Sequence, residues 1–96
     1  MNKKYFDACS NGDYQNVKYM VDNFHVNVNL IDTKGNTGLF IACREKQENV
    51  VKILINAHAD VNITNNDGDT PLHIACSEGY DHIVALLISK GATPNL

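Results

Sequence analysis

The sequence has no tryptophan, only two prolines and a single arginine, Arg44, among its 96 residues. It contains no apolar run as long as a membrane-spanning helix requires. Residues Met1 to Lys4 lead into a mixed amphipathic stretch instead of the apolar core of a signal peptide. With a net charge of −3, the scattered lysines form no basic stripe that would neutralise phosphates. We therefore expect a cytosolic or nuclear protein that binds neither membranes nor nucleic acid.

Residue sets that perform catalysis or hold a cofactor are also missing from the sequence. His73 and Cys76 are three residues apart, but no further His or Cys completes a catalytic or zinc set. The glycine-containing turns lack the glycine-rich loop that cradles phosphates, and Asp67 and Asp69 lack the terminal Glu of a calcium loop. We expect no enzymatic activity, cofactor or metal, and interpret the two aspartates as solvated turn residues or as partner contacts.

The sequence is 44% hydrophobic and 20% charged residues. That composition is typical of one globular domain.

The three cysteines, Cys9, Cys43 and Cys76, recur at nearly equal intervals. Helices that stack lie about 10 Å apart, whereas a disulfide needs Cα atoms within about 7 Å. We therefore expect three reduced and buried cysteines that act as small hydrophobic residues.

One segment of the chain occurs twice at a fixed spacing. It predicts a turn at Asp67 and Gly68, a short helix that begins at Pro71 with Thr70 as its N-cap, and a longer helix closed by Gly91. Six pairs of matching residues share the spacing, and the numbers within each pair differ by 33. The pairs are Gly35 and Gly68, Leu39 and Leu72, Ala42 and Ala75, Cys43 and Cys76, Leu54 and Leu87, and Asn62 and Asn95.

The opening segment follows the same template, but its offset from the second copy changes along its length. Cys9 precedes Cys43 by 34 positions in the numbering, whereas Asn29 precedes Asn62 by 33. One extra residue is therefore expected between Asn23 and Asn27. Phe24, Val26 and Val28 alternate with polar residues as in a strand. The repeat register instead favours an extended return from helix to loop, with a local bulge at the extra residue.

The spacing and the string Thr70-Pro71-Leu72-His73-Ile74-Ala75 resemble the ankyrin repeat. The resemblance spans almost the whole chain. It implies an all-α solenoid of stacked helix-turn-helix units with finger-like β-turn loops. The units would be an N-terminal capping repeat at residues 1–31, a second repeat at 32–64 and a third at 65–96.

The second repeat departs from the family template at Gly38, Phe40, Lys46 and His58, which replace Pro, His, Gly and Gly. A residue other than glycine costs about 1 kcal/mol in the left-handed region. We therefore expect Lys46→Gly and Gly38→Pro each to raise stability by about 0.5–1 kcal/mol. The Phe40 ring is expected either to pack under the finger or to lie partly open on the binding side.

The resemblance also implies roles for two recurring polar positions. His73 would hydrogen-bond from the short helix to loop backbone and tie a finger to its neighbour. Asn29, Asn62 and Asn95 would bridge loop backbone groups, and in some members of the family this asparagine is hydroxylated.

The function implied by the resemblance is that of a non-catalytic scaffold. Such proteins bind a partner through a concave surface of finger tips and short helices. On that concave side repeat three offers Asp67, Asp69 and Glu78 and no basic residue. We therefore expect a partner that is basic toward that repeat, with Phe40 and Arg44 as anchors. The family's contact positions correspond to Thr33, Lys34, Asn36, Phe40, Arg44, Glu45, Asn66, Asp67, Asp69, Ser77 and Glu78.

The closing helices are unusually apolar for the last unit of a stack, whose outer face is normally polar. We expect part of this surface either to be covered by further repeats of a longer array or to pack on another molecule. The alternative function is accordingly that of a structural or self-associating array segment. The residues concerned are Ile74, Ile83, Val84, Leu86, Leu87 and Ile88.

Overall fold

The computed structural model describes residues 2–93, which form six helices. The predicted all-α architecture is confirmed, because the only β-type pairing in this range is an isolated antiparallel bridge between Ile31 and Thr37. The helices are α1 (Asn2–Asn11), α2 (Tyr14–Asn23), α3 (Gly38–Arg44), α4 (Glu48–Asn56), α5 (Pro71–Glu78) and α6 (Asp81–Ser89).

The helices form three consecutive pairs that stack side by side. The first helices of the pairs, α1, α3 and α5, pack against one another in that order, and we call them the inner helices. The second helices, α2, α4 and α6, form a parallel row that we call the outer helices. The core lies between the rows, and its fully buried side chains include Val17, Leu39, Leu54, Ile83 and Leu87.

Helix starts follow the predicted capping chemistry. The Thr70 hydroxyl accepts a hydrogen bond from the backbone N–H of His73 at 3.2 Å, and Pro71 is the first helical residue of α5. In the preceding repeat the Thr37 hydroxyl accepts from the N–H of Phe40 at 3.0 Å. Each bond satisfies one of the N–H groups that a helix leaves without an internal partner.

The residues that follow the helices adopt the predicted left-handed conformation. Gly79 and Gly91 have φ values of 73° and 94°. Lys46 and His58 stand at the corresponding positions of the second repeat, with φ values of 58° and 66°. The second repeat therefore uses side-chain-bearing residues where the third uses glycine.

The extra residue of the opening segment lies in a helix. Helix α2 has 10 residues, whereas its counterpart α4 has 9. The offset between the two repeats therefore changes between the first and the last residue of this helix. The prediction of a bulge in the following loop is wrong. Residues 24–30 form no strand, as the repeat register predicted.

Gly38 lies directly under the first repeat. A Cβ atom built on it would be 2.7 Å from the hydroxyl of Tyr5 and 2.9 Å from the sulfur of Cys9. Both neighbours are fully buried in the core. The prediction that Gly38→Pro stabilises the protein is therefore wrong, since proline carries that Cβ into occupied space.

Two of the three cysteines are buried as predicted, and the third is not. Cys9 and Cys43 are fully buried, and burial raises the pKa of each thiol to about 12, with the neighbouring Tyr5 hydroxyl partly opposing the shift at Cys9. Burial also raises the pKa of Tyr5, and Cys9 adds to the effect. Cys76 is exposed, because no described residue packs over that side of α5.

We expect only Cys76 to react rapidly with Ellman's reagent in the folded protein at pH 8. The attacking species is the thiolate, and thiols with a pKa of about 12 are almost entirely protonated at that pH. The native protein should release about one equivalent of chromophore, and the unfolded protein, in which every cysteine reacts, should release three equivalents. Cys76→Ser should abolish the fast phase, and two or more fast equivalents in the native protein would contradict the burial of Cys9 and Cys43.

Candidate functional site

Two loops project beside the inner helices and repeat each other's geometry. Finger two is residues 32–36 and finger three is residues 65–69. Each is closed by a backbone hydrogen bond across its base, from Asp32 N–H to Asn36 O at 3.0 Å and from Asn65 N–H to Asp69 O at 2.8 Å. The tips hold Gly35 and Gly68 at φ values of 78° and 82°, so the predicted equivalence of the two glycines is confirmed.

A side chain at the base of each finger fixes the tip. One carboxylate oxygen of Asp32 accepts from the N–H groups of Lys34 and Asn36, both at 2.9 Å. The Asn65 side-chain oxygen accepts from the N–H groups of Asp67 and Asp69, both at 3.0 Å. These Asx-type turns hold the finger backbone in one conformation without needing a strand.

The two fingers are also bonded to each other. The Asn66 N–H donates to the carbonyl of Lys34 at 3.0 Å, and its amide donates to the carbonyl of Thr33 at 3.3 Å. Deeper in the loops, the Asn65 amide donates to the Asn36 side-chain oxygen at 2.9 Å. The fingers therefore form one cross-linked ridge, which limits the conformational entropy that binding a partner would cost.

Nine of the predicted contact residues are exposed, and they fall into two groups. Thr33, Lys34, Asn66, Asp67 and Asp69 lie on the ridge. The second group lies at the C-terminal ends of α3 and α5, which are 7 and 8 residues long, so it is about 10–12 Å from the fingers along the helix axes. Its members are Arg44, Glu45, Ser77 and Glu78.

The other two predicted contacts, Asn36 and Phe40, are buried. Asn36 is 4% exposed, and its side chain belongs to the bonds that join the fingers. Phe40 is 5% exposed, so of the two placements expected for its ring the buried one is found. The prediction that Phe40 anchors a partner is therefore corrected, because a partner cannot reach the ring.

Charge differs between the two repeats. The Arg44 Nε donates to a Glu45 carboxylate oxygen at 3.0 Å, so these two charges largely neutralise each other. Asp67, Asp69 and Glu78 form no ion pair with any residue in the range 2–93. The third repeat therefore presents the uncompensated negative charge that the sequence predicted.

A groove that the sequence analysis missed lies between α1 and finger two. Its volume is about 650 Å³. Its apolar lining comes from Phe6, which is half-buried, and Ile31, which is 53% exposed. The signal for it was the apolar Ile31 where the next repeat has Thr64. The remaining lining residues are Asn2, Lys3, Asp7, Asp32 and Thr33.

His73 and the recurring asparagines hydrogen-bond to backbone groups. His73 Nδ1 accepts from the N–H of Thr70 at 3.1 Å and so caps its own helix, whereas the resemblance implied a bond between fingers. Asn29 accepts from the N–H of Asp60 at 2.8 Å, and Asn62 accepts from the N–H of Thr93 at 3.0 Å. The Asn62 amide also donates to the Gly91 carbonyl at 3.2 Å, so the bridging of two backbone groups is confirmed at Asn62, whereas the Asn29 side chain makes one such bond.

The role predicted for Asn95 lies outside the described residues.

Among the described residues, no group of three or more His, Cys, Asp and Glu side chains is arranged to hold a metal ion. No helix in that part of the chain is long and apolar enough to cross a membrane.

A family model described as ankyrin repeats, in three copies, matches residues 6–96. The match covers both fingers and all of the exposed contact positions. A search of curated protein sequences finds no match to this chain.

Proposed function

The chain belongs to the ankyrin-repeat family, and from that premise we propose that it is a non-catalytic scaffold that binds another protein through its fingers and inner helices. Ankyrin repeats are generally protein–protein interaction modules and are typically without catalytic activity. We further propose that residues 1–31, 32–64 and 65–96 act together as one repeat domain with a capping first unit. A cytosolic or nuclear location stays a prediction.

The observation that carries this proposal is the cross-linked finger ridge. Eight hydrogen bonds between 2.8 and 3.0 Å hold the two finger backbones, and three more of 2.9 to 3.3 Å join one finger to the other. The two fingers together present the exposed side chains of Thr33, Lys34, Asp67 and Asp69. A surface that is ordered before binding loses little entropy when a partner docks.

The charge of the ridge favours a partner that is basic toward the third repeat. Asp67 and Asp69 are exposed and have no cationic partner within the described part of the chain. Opposite charge across an interface raises the association rate and excludes wrong partners. Arg44, which keeps guanidinium N–H groups beyond its bond to Glu45, is the remaining proposed anchor.

The test is affinity capture with quantitative mass spectrometry, using extract from cells that express the chain. Asp67→Lys combined with Asp69→Lys should lower capture of a specific partner about tenfold, since each change replaces attraction by repulsion. The matched control is Asp22→Lys combined with Asp81→Lys, which makes the same charge change on α2 and α6. Equal losses in both double variants, or none in either, would contradict binding at the fingers.

Self-association through the last helix pair is the second candidate function. Ile88 is 51% exposed on α6, and Cys76 is exposed on α5 where its counterparts Cys9 and Cys43 are buried. Sedimentation equilibrium separates the candidates, because a scaffold that uses its fingers does not need a second copy. A dimer that Ile88→Thr dissociates would favour self-association.

A further inference from the structure

The groove between α1 and finger two is an open, partly apolar depression with room for a large apolar side chain and the backbone that carries it. Its volume of about 650 Å³ falls within the range of about 300–1,000 Å³ that is usual for small-ligand pockets. Phe6 packs against Tyr5 with ring centroids 5.5 Å apart, so it forms a fixed wall. Ile31 forms the opposite apolar wall from the base of finger two.

The exposure of Ile31 is not required by the fold. Its side chain is 53% exposed, and the corresponding residue of the next repeat is the polar and exposed Thr64. Finger three, which Thr64 precedes, has the same two internal backbone hydrogen bonds as finger two. Ile31 also forms a bridge with Thr37, but that pairing is between backbones and does not depend on the side chain of Ile31. An apolar residue at this position therefore adds contact surface to the groove and nothing that the finger needs for its conformation.

Negative charge lies one layer away from the groove. Thr33 lines the groove and its carbonyl accepts directly from Asn66, so fingers two and three are adjacent. Stacked helices are spaced by about 10 Å, which places Asp67 and Asp69 about that far from the groove along the ridge. An extended peptide rises about 3.3 Å per residue, so three residues span this distance.

We propose that the groove and finger three together bind one extended segment of a partner protein. The segment inserts an apolar side chain, aliphatic or aromatic, between Phe6 and Ile31. A lysine or arginine about three residues away in the segment then pairs with Asp67 or Asp69. This inference rests on the proposed scaffold function and adds to it the place of the apolar anchor, which buried Phe40 does not supply.

The structure suggests a direct peptide-selection experiment. A random 12-residue peptide display library is selected against the full chain, and the enriched peptides are measured by fluorescence polarisation. We expect enrichment of an apolar residue with Lys or Arg three or four positions away. Ile31→Thr should weaken binding about fivefold, since it removes apolar contact. Asp67→Lys with Asp69→Lys should weaken it about tenfold.

The matched control for the groove is Ile88→Thr. Ile88 is 51% exposed and lies on α6, away from the fingers, so this variant should bind the peptides as the wild-type chain does. Circular dichroism should show that both threonine variants are folded, because Ile31 and Ile88 are both more than half exposed and contribute little to the core.

Three outcomes would overturn the inference. If the peptides bind Ile31→Thr as tightly as wild type but bind the Asp67→Lys and Asp69→Lys double variant more weakly, the groove is not part of the binding site. The proposed scaffold function is unaffected by that result. If the enriched peptides lack a basic residue, or if no peptide is enriched, the proposed type of partner segment is contradicted. Affinity capture of a partner still tests the scaffold function independently. Peptides lost only on Ile88→Thr would contradict both proposals.

Discussion

The Gly38→Pro variant should unfold at a lower temperature than the wild-type protein. Local backbone rules favour proline here, because Gly38 is the first residue of α3 and Thr37 before it is extended, with φ −78° and ψ 164°. The obstacle is Tyr5, whose hydroxyl would be 2.7 Å from the new Cβ atom. Tyr5 is fully buried and has little space into which to move.

We expect Gly38→Pro to lower the free energy of unfolding by about 2–3 kcal/mol, because overpacking outweighs the entropy gained by fixing φ. For a domain of this size that is a fall of about 10–20 °C in the melting temperature. Thermal denaturation followed by circular dichroism measures the change.

The same substitution should become nearly neutral when Tyr5 is replaced by leucine. In the later repeats leucine stands at the position of Tyr5, as Leu39 and Leu72. The repeat that follows Leu39 has a proline, Pro71, at the position of Gly38. A double-mutant cycle isolates the clash as the coupling energy between the two sites. Equal effects of Gly38→Pro in the wild-type and Tyr5→Leu backgrounds would show that Tyr5 is not the cause.

Lys46→Gly provides the comparison within the same repeat. Lys46 has a φ of 58°, which glycine adopts at lower cost, so the stabilising direction expected from the sequence is retained. The Lys46 Nζ lies 5.4 Å from the centre of the Tyr80 ring, and the loss of this cation–π contact offsets part of the gain. We expect a net gain of about 0.5 kcal/mol.

The Asn65→Ala variant should lose about 2 kcal/mol of stability and release finger three from its fixed conformation. The substitution removes the acceptor for the N–H groups of Asp67 and Asp69. It also leaves the side-chain oxygen of Asn36, which is 4% exposed, without its donor. Chemical denaturation measures the loss, and hydrogen exchange at the amides of Asp67 and Asp69 reports the local release.

Asn65→Asp is the matched control for that variant. The introduced carboxylate can accept from the same two N–H groups, as Asp32 does in finger two. The Asn36 amide can turn by 180° and donate to it, so we expect a loss of less than about 1 kcal/mol. Similar losses in Asn65→Ala and Asn65→Asp, with unchanged exchange in finger three, would contradict the role given to Asn65.

The candidate site was only partly predictable from the sequence. The repeat spacing located the fingers, and the family resemblance supplied eleven contact positions, of which nine are exposed in the structure. Their placement follows from backbone geometry within one repeat. It did not give the burial of Phe40, since its exposure depends on what packs around it. It also missed the groove, whose two apolar walls, Phe6 and Ile31, lie far apart in the chain and meet only in the folded stack.

The sequence by itself determined the repeat spacing, the N-cap of α5 at Thr70 and the left-handed residues after the helices. All of these are set by interactions among residues within a few positions of one another. Tertiary structure alone decided that Gly38 lies against the buried Tyr5 and Cys9, and that Cys76 is exposed while Cys9 and Cys43 are buried. The physical reason is that the neighbouring repeat determines how much room a side chain has and how exposed it is. Local backbone rules do not describe this.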